Sequence, residues 1–294
     1  MATRFALMIV PAAADDERTH FTDTFRSVDP KAPALSIGEL STQRGDGIFE
    51  SIGVIDGHPQ QVDAHLARLA NSAAICELPL PNIAQWRQAI AEVVLHAERG
   101  ESVVKLILSR GVEHGPMPTA WATLAPAPDF SAPRERGIRV VTLDRGYDSG
   151  VPERAPWLLL GAKTLSYAVN MAALREAHRR GADDAIFVTT DGFVLEAPTA
   201  NLIVRQGDTF VTPAPTGGIL HGTTQLAAFD YLAQQGFETR YEVIPTDSLA
   251  HVDAAWLVSS IRLAAPITAI DSVPIPADPA LTHALNAYLL TPHD

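Results

Sequence analysis

Two periods of apolar and polar residues run along this chain, and the switches between them mark its elements. Period-two or strand-like stretches cover 5–10, which Pro11 ends, and 47–55, followed by the tight-turn pair Asp56-Gly57 and a short return strand. Further strands are expected at 103–109, 120–124 and 138–143. Between them the period lengthens. Leu66, Leu69, Ala73 and Cys76 form one helical stripe, for which Asp63 is the expected cap. Trp86, Ile90, Val93, Val94 and Ala97 form a second, opened by Pro81 and Asn82 and stopped by Gly100. Residues 12–40 are polar and carry only weak structure signals. After 138–143 the pattern predicts a helix over 166–180, strands at 185–189 and 193–196 around Thr190-Asp191-Gly192, and a hairpin of 201–205 with 209–212. A helix over 222–235, strands at 239–244, 254–259 and 266–270, and a terminal helix over 279–290 complete the chain.

The stretch APAPDFSAPRER, residues 125–136, is rich in proline and has no period, which makes it the expected linker. It divides the chain into a smaller N-terminal domain, 1–124, and a larger C-terminal domain, 137–294. The mixed order of helices and strands predicts an α/β (α+β mixed) fold, with much antiparallel sheet in the second domain.

Composition narrows the function classes. Apolar residues make up 47% of the 294, enough for sizeable cores. A net charge of −12 argues against non-specific binding to nucleic acid or to an anionic membrane. No apolar run approaches the roughly 20 residues of a membrane span. The apolar FALMIVP near the N-terminus reads as a first strand rather than a signal segment, so a cytoplasmic location is expected. The single cysteine, Cys76, rules out an intramolecular disulfide and any multi-cysteine metal site, and no metal is expected.

Lysine is rare here, occurring only as Lys31, Lys105 and Lys163. Lys31 lies in a Pro-rich segment, and Lys105 alternates with apolar residues on a strand's polar face. Lys163 follows the apolar run WLLLGA and precedes a helix-like segment. Partial burial strips water from an ammonium and lowers its pKa, which makes the amine a usable nucleophile toward an aldehyde cofactor. Pyridoxal phosphate chemistry further needs an acid beside the pyridine nitrogen and cationic or N–H donors for the phosphate. The chain offers Glu196 at an expected strand end, Thr223 and Thr224 at an expected helix start, Ser260 after a strand, and Arg68 on a helix. Taken singly, each has a bland alternative as a cap, a turn or a surface ion pair.

Taken in order, GDGIFES, HLARL, SRG, KTLSYAVN, GADDAIFVTTDGFVLEAPTANLIV, TPAPTGGILHGTT and WLVSSIRLAAPI resemble the class IV aminotransferase family, the fold-type IV pyridoxal phosphate enzymes, over roughly residues 44–270. The resemblance implies a smaller N-terminal α/β domain, a larger C-terminal domain with a barrel-like sheet, pyridoxal 5'-phosphate between them, and a homodimer. It implies Lys163 as the Schiff-base lysine and Glu196 at the pyridine nitrogen. Arg68, Thr223, Thr224 and Ser260 are the implied phosphate ligands. This chain departs from the family where Gln225 replaces a common arginine and where Ser166 and Tyr167 follow Lys163. Family members that act on D-amino acids hold the substrate carboxylate with an arginine and a histidine after SRG. Here RGVEHGPMP supplies Arg110 and His114 as candidate substrate contacts, in a different register.

Within the family, KTLSYAVNMAALREA and LVSSIRLAAPI are most similar to the 4-amino-4-deoxychorismate lyases of folate synthesis, which release pyruvate and leave 4-aminobenzoate. The alternatives are a branched-chain or D-amino acid transaminase of the same fold, or a non-catalytic pyridoxal phosphate-binding relative. The expected partner is a small-molecule substrate.

Overall fold

The computed structural model describes residues 2–215 and 218–292; Thr216 and Gly217, inside TPAPTGGILHGTT, lie outside the described residues. The chain forms two compact units, one of residues 2–128 with 162–167 and the other of 129–161 with 168–291.

The first unit carries β1 (Phe5–Ile9), β2 (Phe25–Val28), α1 (Leu40–Gln43), β3 (Gly47–Ile55), β4 (His58–Pro59), α2 (Val62–Ile75), α3 (Ile83–Val94), β5 (Glu101–Ser109) and β6 (Thr119–Pro126). Its sheet runs β2-β1-β6-β5-β3-β4, with every pair antiparallel. Ile48 and Ile52 of β3 and Leu106 and Leu108 of β5 are fully buried, as are Leu66 and Leu69 of α2 and Trp86 of α3. Burial of this kind contributes about 1.5–3 kcal/mol per large side chain.

Residues 162–167 belong to this unit because they extend its sheet. Phe49 N–H donates to Lys163 O at 3.0 Å and Leu165 N–H to Gly47 O at 2.8 Å, around an antiparallel bridge between Ile48 and Thr164. The absence of a side chain at Gly47 permits this approach, since a Cβ there would lie 2.8 Å from Leu108 O and 2.9 Å from Leu165 Cδ1.

The second unit carries α4 (Ser131–Arg136), β7 (Ile138–Asp144), α5 (Val151–Arg154), α6 (Ala168–Arg179), β8 (Asp184–Val188), β9 (Asn201–Gln206), β10 (Thr209–Pro213), α7 (Thr223–Gln234), β11 (Glu238–Glu242), β12 (Ala254–Ser259), β13 (Leu263–Ile270), β14 (Val273–Pro274) and α8 (Pro279–Leu289). Its sheet runs β11-β10-β9-β12-β13-β7-β8, with β14 on β13. The β10–β11, β13–β7 and β7–β8 pairs are parallel. Both faces of its centre are buried, which is why these strands read as continuous apolar runs. Leu202 and Val204 of β9 and Ala255 and Leu257 of β12 enter one core. Ile203, Trp256 and Val258 enter the other, with Phe229 of α7 and Leu285 of α8.

Several expected elements differ. The polar stretch 12–40 contains β2, which pairs with β1 from Ala6–Val28 to Ile9–Phe25. Asp63 lies inside α2 rather than capping it; the cap is Gln61 in the left-handed region at φ 52°, with no side-chain cap bond. The expected linker holds the end of β6 and the short helix α4. Residues 193–196 form no strand of the sheet. They lie beside β8 through Leu195 N–H to Phe187 O and Phe187 N–H to Glu196 O, at 2.8 and 2.9 Å.

Candidate active site

In the first unit the candidates gather on β3, α2 and the segment 162–167. Glu50 shares its β3 face with Ile48 and Ile52 and is fully buried. His65 and Arg68 stand three apart on α2 and so face the same way. Arg68 Nε donates to Glu50 Oε1 at 2.8 Å and Nη2 to Oε2 at 2.7 Å, a bidentate pair. His65 Nδ1 lies 2.7 Å from Glu50 Oε2.

Burial opposes ionisation of Glu50, but the Arg68 charge and hydrogen bonds, helped by His65, overcome it and lower its pKa to about 2. Glu50 is therefore a carboxylate that can only accept, and Nδ1 of His65 must carry the donated proton. Burial pushes the His65 pKa down, against the pull of Glu50, and the Arg68 and Lys163 charges push it further down. The imidazole is thus neutral at neutral pH.

Lys163 is half-buried. Its N–H donates to Ser72 Oγ of α2 at 3.1 Å. Its Nζ stands 4.7 Å from the Phe49 ring centre and 5.8 Å from that of Tyr167, two rings in edge contact at 5.3 Å. An ammonium against ring faces is attracted by them and shielded from part of its water. Tyr167, a departure from the family pattern, thereby lines the lysine.

Arg110 and His114 stand apart from this group. Arg110 Nε donates to Asp46 Oδ2 at 2.7 Å, Nη2 to Cys76 O at 2.8 Å and Nη1 to Glu77 O at 3.1 Å. The guanidinium thus ties the end of β5 to the end of α2. His114 is exposed, at φ 60°. Glu39 anchors both roots of their loop. Its buried carboxylate accepts from Ser109 Oγ at the end of β5, and from Thr119 Oγ1 at the start of β6 at 2.7 Å.

In the second unit, Thr223 and Thr224 open α7. Ser260, in the turn between β12 and β13, brings its Oγ to 3.3 Å from each threonine hydroxyl. The N-cap of α7 is Gly222, which provides no side-chain cap. The first N–H groups of a 12-residue helix and a cluster of hydroxyls therefore share one place, the donor set of an anion site. A Cβ at Gly222 would stand 1.8 Å from Asn201 Oδ1, so only glycine passes there. Asn201 Nδ2 in turn donates to Leu220 O at 2.7 Å and to Glu196 Oε2 at 3.3 Å. One buried amide thus links the carboxylate to the turn that leads into α7. Gln225, where the family commonly has arginine, is buried and shares hydrogen bonds with the Tyr241 hydroxyl at 3.2 and 3.4 Å.

Each unit by itself offers groups that fit the implied cofactor. In the second, hydroxyls and helix N–H groups suit a phosphate and a carboxylate steadied by an amide suits a pyridine nitrogen; in the first, a partly shielded lysine suits an aldehyde. Sequence reasoning missed Glu50, His65 and Asn201. The signal for Glu50 was present, because a carboxylate in GIFESIGVI falls in phase with Ile48 and Ile52. Among the described residues no group of three or more His, Cys, Asp or Glu could hold a metal ion. No described helix is long and apolar enough to cross a membrane.

Comparison with known proteins extends the picture to nearly the whole chain. A bifunctional aminodeoxychorismate lyase / D-amino acid transaminase of Mycobacterium tuberculosis (strain ATCC 25618 / H37Rv) is 40% identical over 263 residues, covering 86% of this chain and 91% of that protein. A fold IV transaminase from Curtobacterium pusillum is 49% identical with a TM-score of 0.93, over 98% of this chain and 99% of that one. The pyridoxal phosphate-bound form of a hypothetical aminotransferase from Mycobacterium tuberculosis is 37% identical with a TM-score of 0.87, over 96% of this chain and 97% of that one. Residues 47–270 match the amino-transferase class IV model. The chain belongs to the class IV aminotransferase family, with the fold of the type IV enzymes, and is a pyridoxal phosphate-dependent enzyme.

Proposed function

We propose that this enzyme is a 4-amino-4-deoxychorismate lyase, with Lys163 as its catalytic residue and Arg68, Glu196, Thr223, Thr224 and Ser260 holding the cofactor. The use of Arg110 carries the reading. A transaminase binds amino acids by their α-carboxylate, and a desolvated carboxylate without fixed donors is costly. In the loop after Ser109 the one guanidinium is directed at Asp46 and the carbonyls of Cys76 and Glu77, and His114 points from an exposed position. A lyase substrate carries its carboxylates away from the reacting amine, so it makes no such demand on this loop.

The reaction balances without a second substrate. The amine-bearing carbon loses its proton, the C–O bond to the enolpyruvyl group breaks and the ring aromatises. The released enol takes up a proton and becomes pyruvate. Bound pyridoxal phosphate supplies the electron sink. Lys163 Nζ takes the proton, Phe49 and Tyr167 limit the water around it, and Glu196 holds a proton at the pyridine nitrogen. The reading carries with it a homodimer serving folate synthesis, as the resemblance implies, in the cytoplasm, as the N-terminal segment leads one to expect.

The bifunctional relative supports a second activity of the same site, transamination of D-amino acids; branched-chain substrates are the remaining alternative. The purified, cofactor-loaded enzyme is expected to release pyruvate and 4-aminobenzoate from 4-amino-4-deoxychorismate with no keto acid added. Rapid, complete spectral conversion of the cofactor by D-alanine, L-leucine or L-glutamate, with no pyruvate from 4-amino-4-deoxychorismate, would replace the lyase reading with the transaminase one.

A further inference from the structure

The short helix α4 lies in the stretch whose sequence reads as a linker, and its one inward-reaching cation meets the turn that carries Ser260. Arg134 Nε donates to Arg262 O and Nη2 to Ile261 O, both at 2.9 Å. A single planar guanidinium thus takes two successive carbonyls of the Ser260–Arg262 turn, a fork that fixes the turn's direction as well as its place. The turn needs fixing. Leu263, immediately after it, stands at φ 61°, a conformation that branched, bulky residues enter only under constraint. From inside the unit the same turn is braced by Arg262 Nη1, which meets Asp184 Oδ2 of β8 at 2.7 Å with both side chains buried.

We propose that Arg134 is a positioning residue for the phosphate cradle. By holding the carbonyls of Ile261 and Arg262 it keeps Ser260 Oγ within reach of Thr223 and Thr224, and so sets the affinity for the cofactor's phosphate. The inference rests on the reading that these three hydroxyls hold that phosphate. Arg134 acts through the turn and is not itself one of the proposed phosphate ligands. A linker arginine therefore tunes phosphate binding without being one of its ligands.

A geometry set for phosphate predicts an effect confined to the phosphate-bearing ligand. In Arg134→Ala the turn loses two charge-assisted hydrogen bonds, and the dissociation constant for pyridoxal 5'-phosphate is expected to rise about tenfold. The constant for pyridoxal, which lacks the phosphate, is expected to stay within about twofold of the unaltered protein's. Both are measured on the full-length, cofactor-free chain by absorbance titration, with thermal unfolding of the same samples alongside. Ser260→Ala should weaken pyridoxal 5'-phosphate binding by itself, and the double variant should lose little more than the worse single one, since both act through one turn.

If Arg134→Ala does not fold, Arg134→Lys, which keeps the charge but not the fork, carries the same test with a smaller loss. Equal losses for the two ligands, or losses that multiply in the double variant, would return Arg134 to a general structural role. An effect of Ser260→Ala with none from the Arg134 variants would overturn the clamp and leave the cradle standing. No effect from Ser260→Ala would overturn the cradle reading and the clamp together.

Discussion

The first unit gathers most of its functional candidates around buried formal charge, whereas the second sets one carboxylate, Glu196, beside hydroxyls, an amide and the end of a helix. Glu50, His65 and Arg68 form a network in which a fully buried carboxylate is kept ionised only by its partners. Thr223, Thr224 and Ser260 lie at a helix start whose donors need no titratable partner. The materials differ in how they fail. A buried charge that loses its counter-charge keeps its whole desolvation cost. A hydroxyl that is lost leaves a gap that neighbouring N–H donors partly cover. Damage to the first region should therefore appear as instability and acid sensitivity, and damage to the second as graded loss of ligand affinity.

The largest expected effect is on the charge network. Glu50→Gln leaves Arg68 and His65 without their anion, and the cost of breaking a buried ion pair from one side is about 3–5 kcal/mol. The pH dependence sharpens this. The Glu50 pKa is depressed from 4.5 to about 2, so its stabilising contribution is complete above about 4.5. It is lost as the pH falls from there through about 2, where the folded protein must take up a proton that the unfolded chain already holds. Denaturant unfolding from pH 7 to pH 2 should show this loss in the unaltered protein. Glu50→Gln should be weaker at pH 7 and lack that part of the acid dependence. Equal stability of the two at pH 7 would mean that the network is not held by charge.

Next in size is Glu196, the one carboxylate in the second unit's group, where the comparison predicts a chemical rather than a folding effect. Glu196→Gln keeps the shape that Asn201 meets but removes the negative charge, which in the proposed function holds a proton at the pyridine nitrogen. Turnover should fall by roughly 10² or more, with the cofactor still bound and thermal stability little changed. Turnover near that of the unaltered enzyme would remove Glu196 from this role.

How much of this was legible beforehand follows the range of the interactions. Lys163, Glu196 and the Gly222-Thr223-Thr224 turn stand inside local patterns, and Gly47–Ile55 and Ala254–Ser259 are strands with the bounds their sequence predicts. Asn82 caps α3 as its position predicts, accepting from Gln85 N–H at 3.0 Å. The Glu50–His65 contact spans 15 residues and exists only because α2 packs on β3. The fork from Arg134 to Ile261 and Arg262 spans 127 and 128, and no local pattern announces it. Gln61 was unreadable as a helix cap because it acts through a left-handed backbone and not through its side chain. For Arg110 the sequence shows a cation but not the carbonyls of Cys76 and Glu77 that accept its hydrogen bonds.

The smallest effect tests the neutral side of the comparison most directly. Thr224→Val keeps the volume and β-branching of a buried side chain and removes only the hydroxyl. A hydrogen bond from a hydroxyl to a charged phosphate is worth about 1.5–3 kcal/mol, of which the neighbouring N–H donors recover part, so pyridoxal 5'-phosphate should bind roughly tenfold more weakly. Arg68→Ala should weaken binding more than this and, because it strips the buried Glu50 of its counter-charge, should also lower stability; excess cofactor should largely restore the activity of the protein that stays folded. Salt separates the two mechanisms. Added salt screens a charge that remains partly accessible, as the 11% exposed Arg68 side chain does, but not a hydroxyl contact. The ratio of dissociation constants between Thr224→Val and the unaltered protein should therefore hold steady from low to high ionic strength. The ratio for Arg68→Ala should shrink over the same range, because salt weakens the unaltered protein's binding and leaves the variant little charge to lose. A Thr224→Val ratio that tracks ionic strength as closely as the arginine's would mean that the cradle works through the helix-end field, and that the two units are less different than their side chains make them.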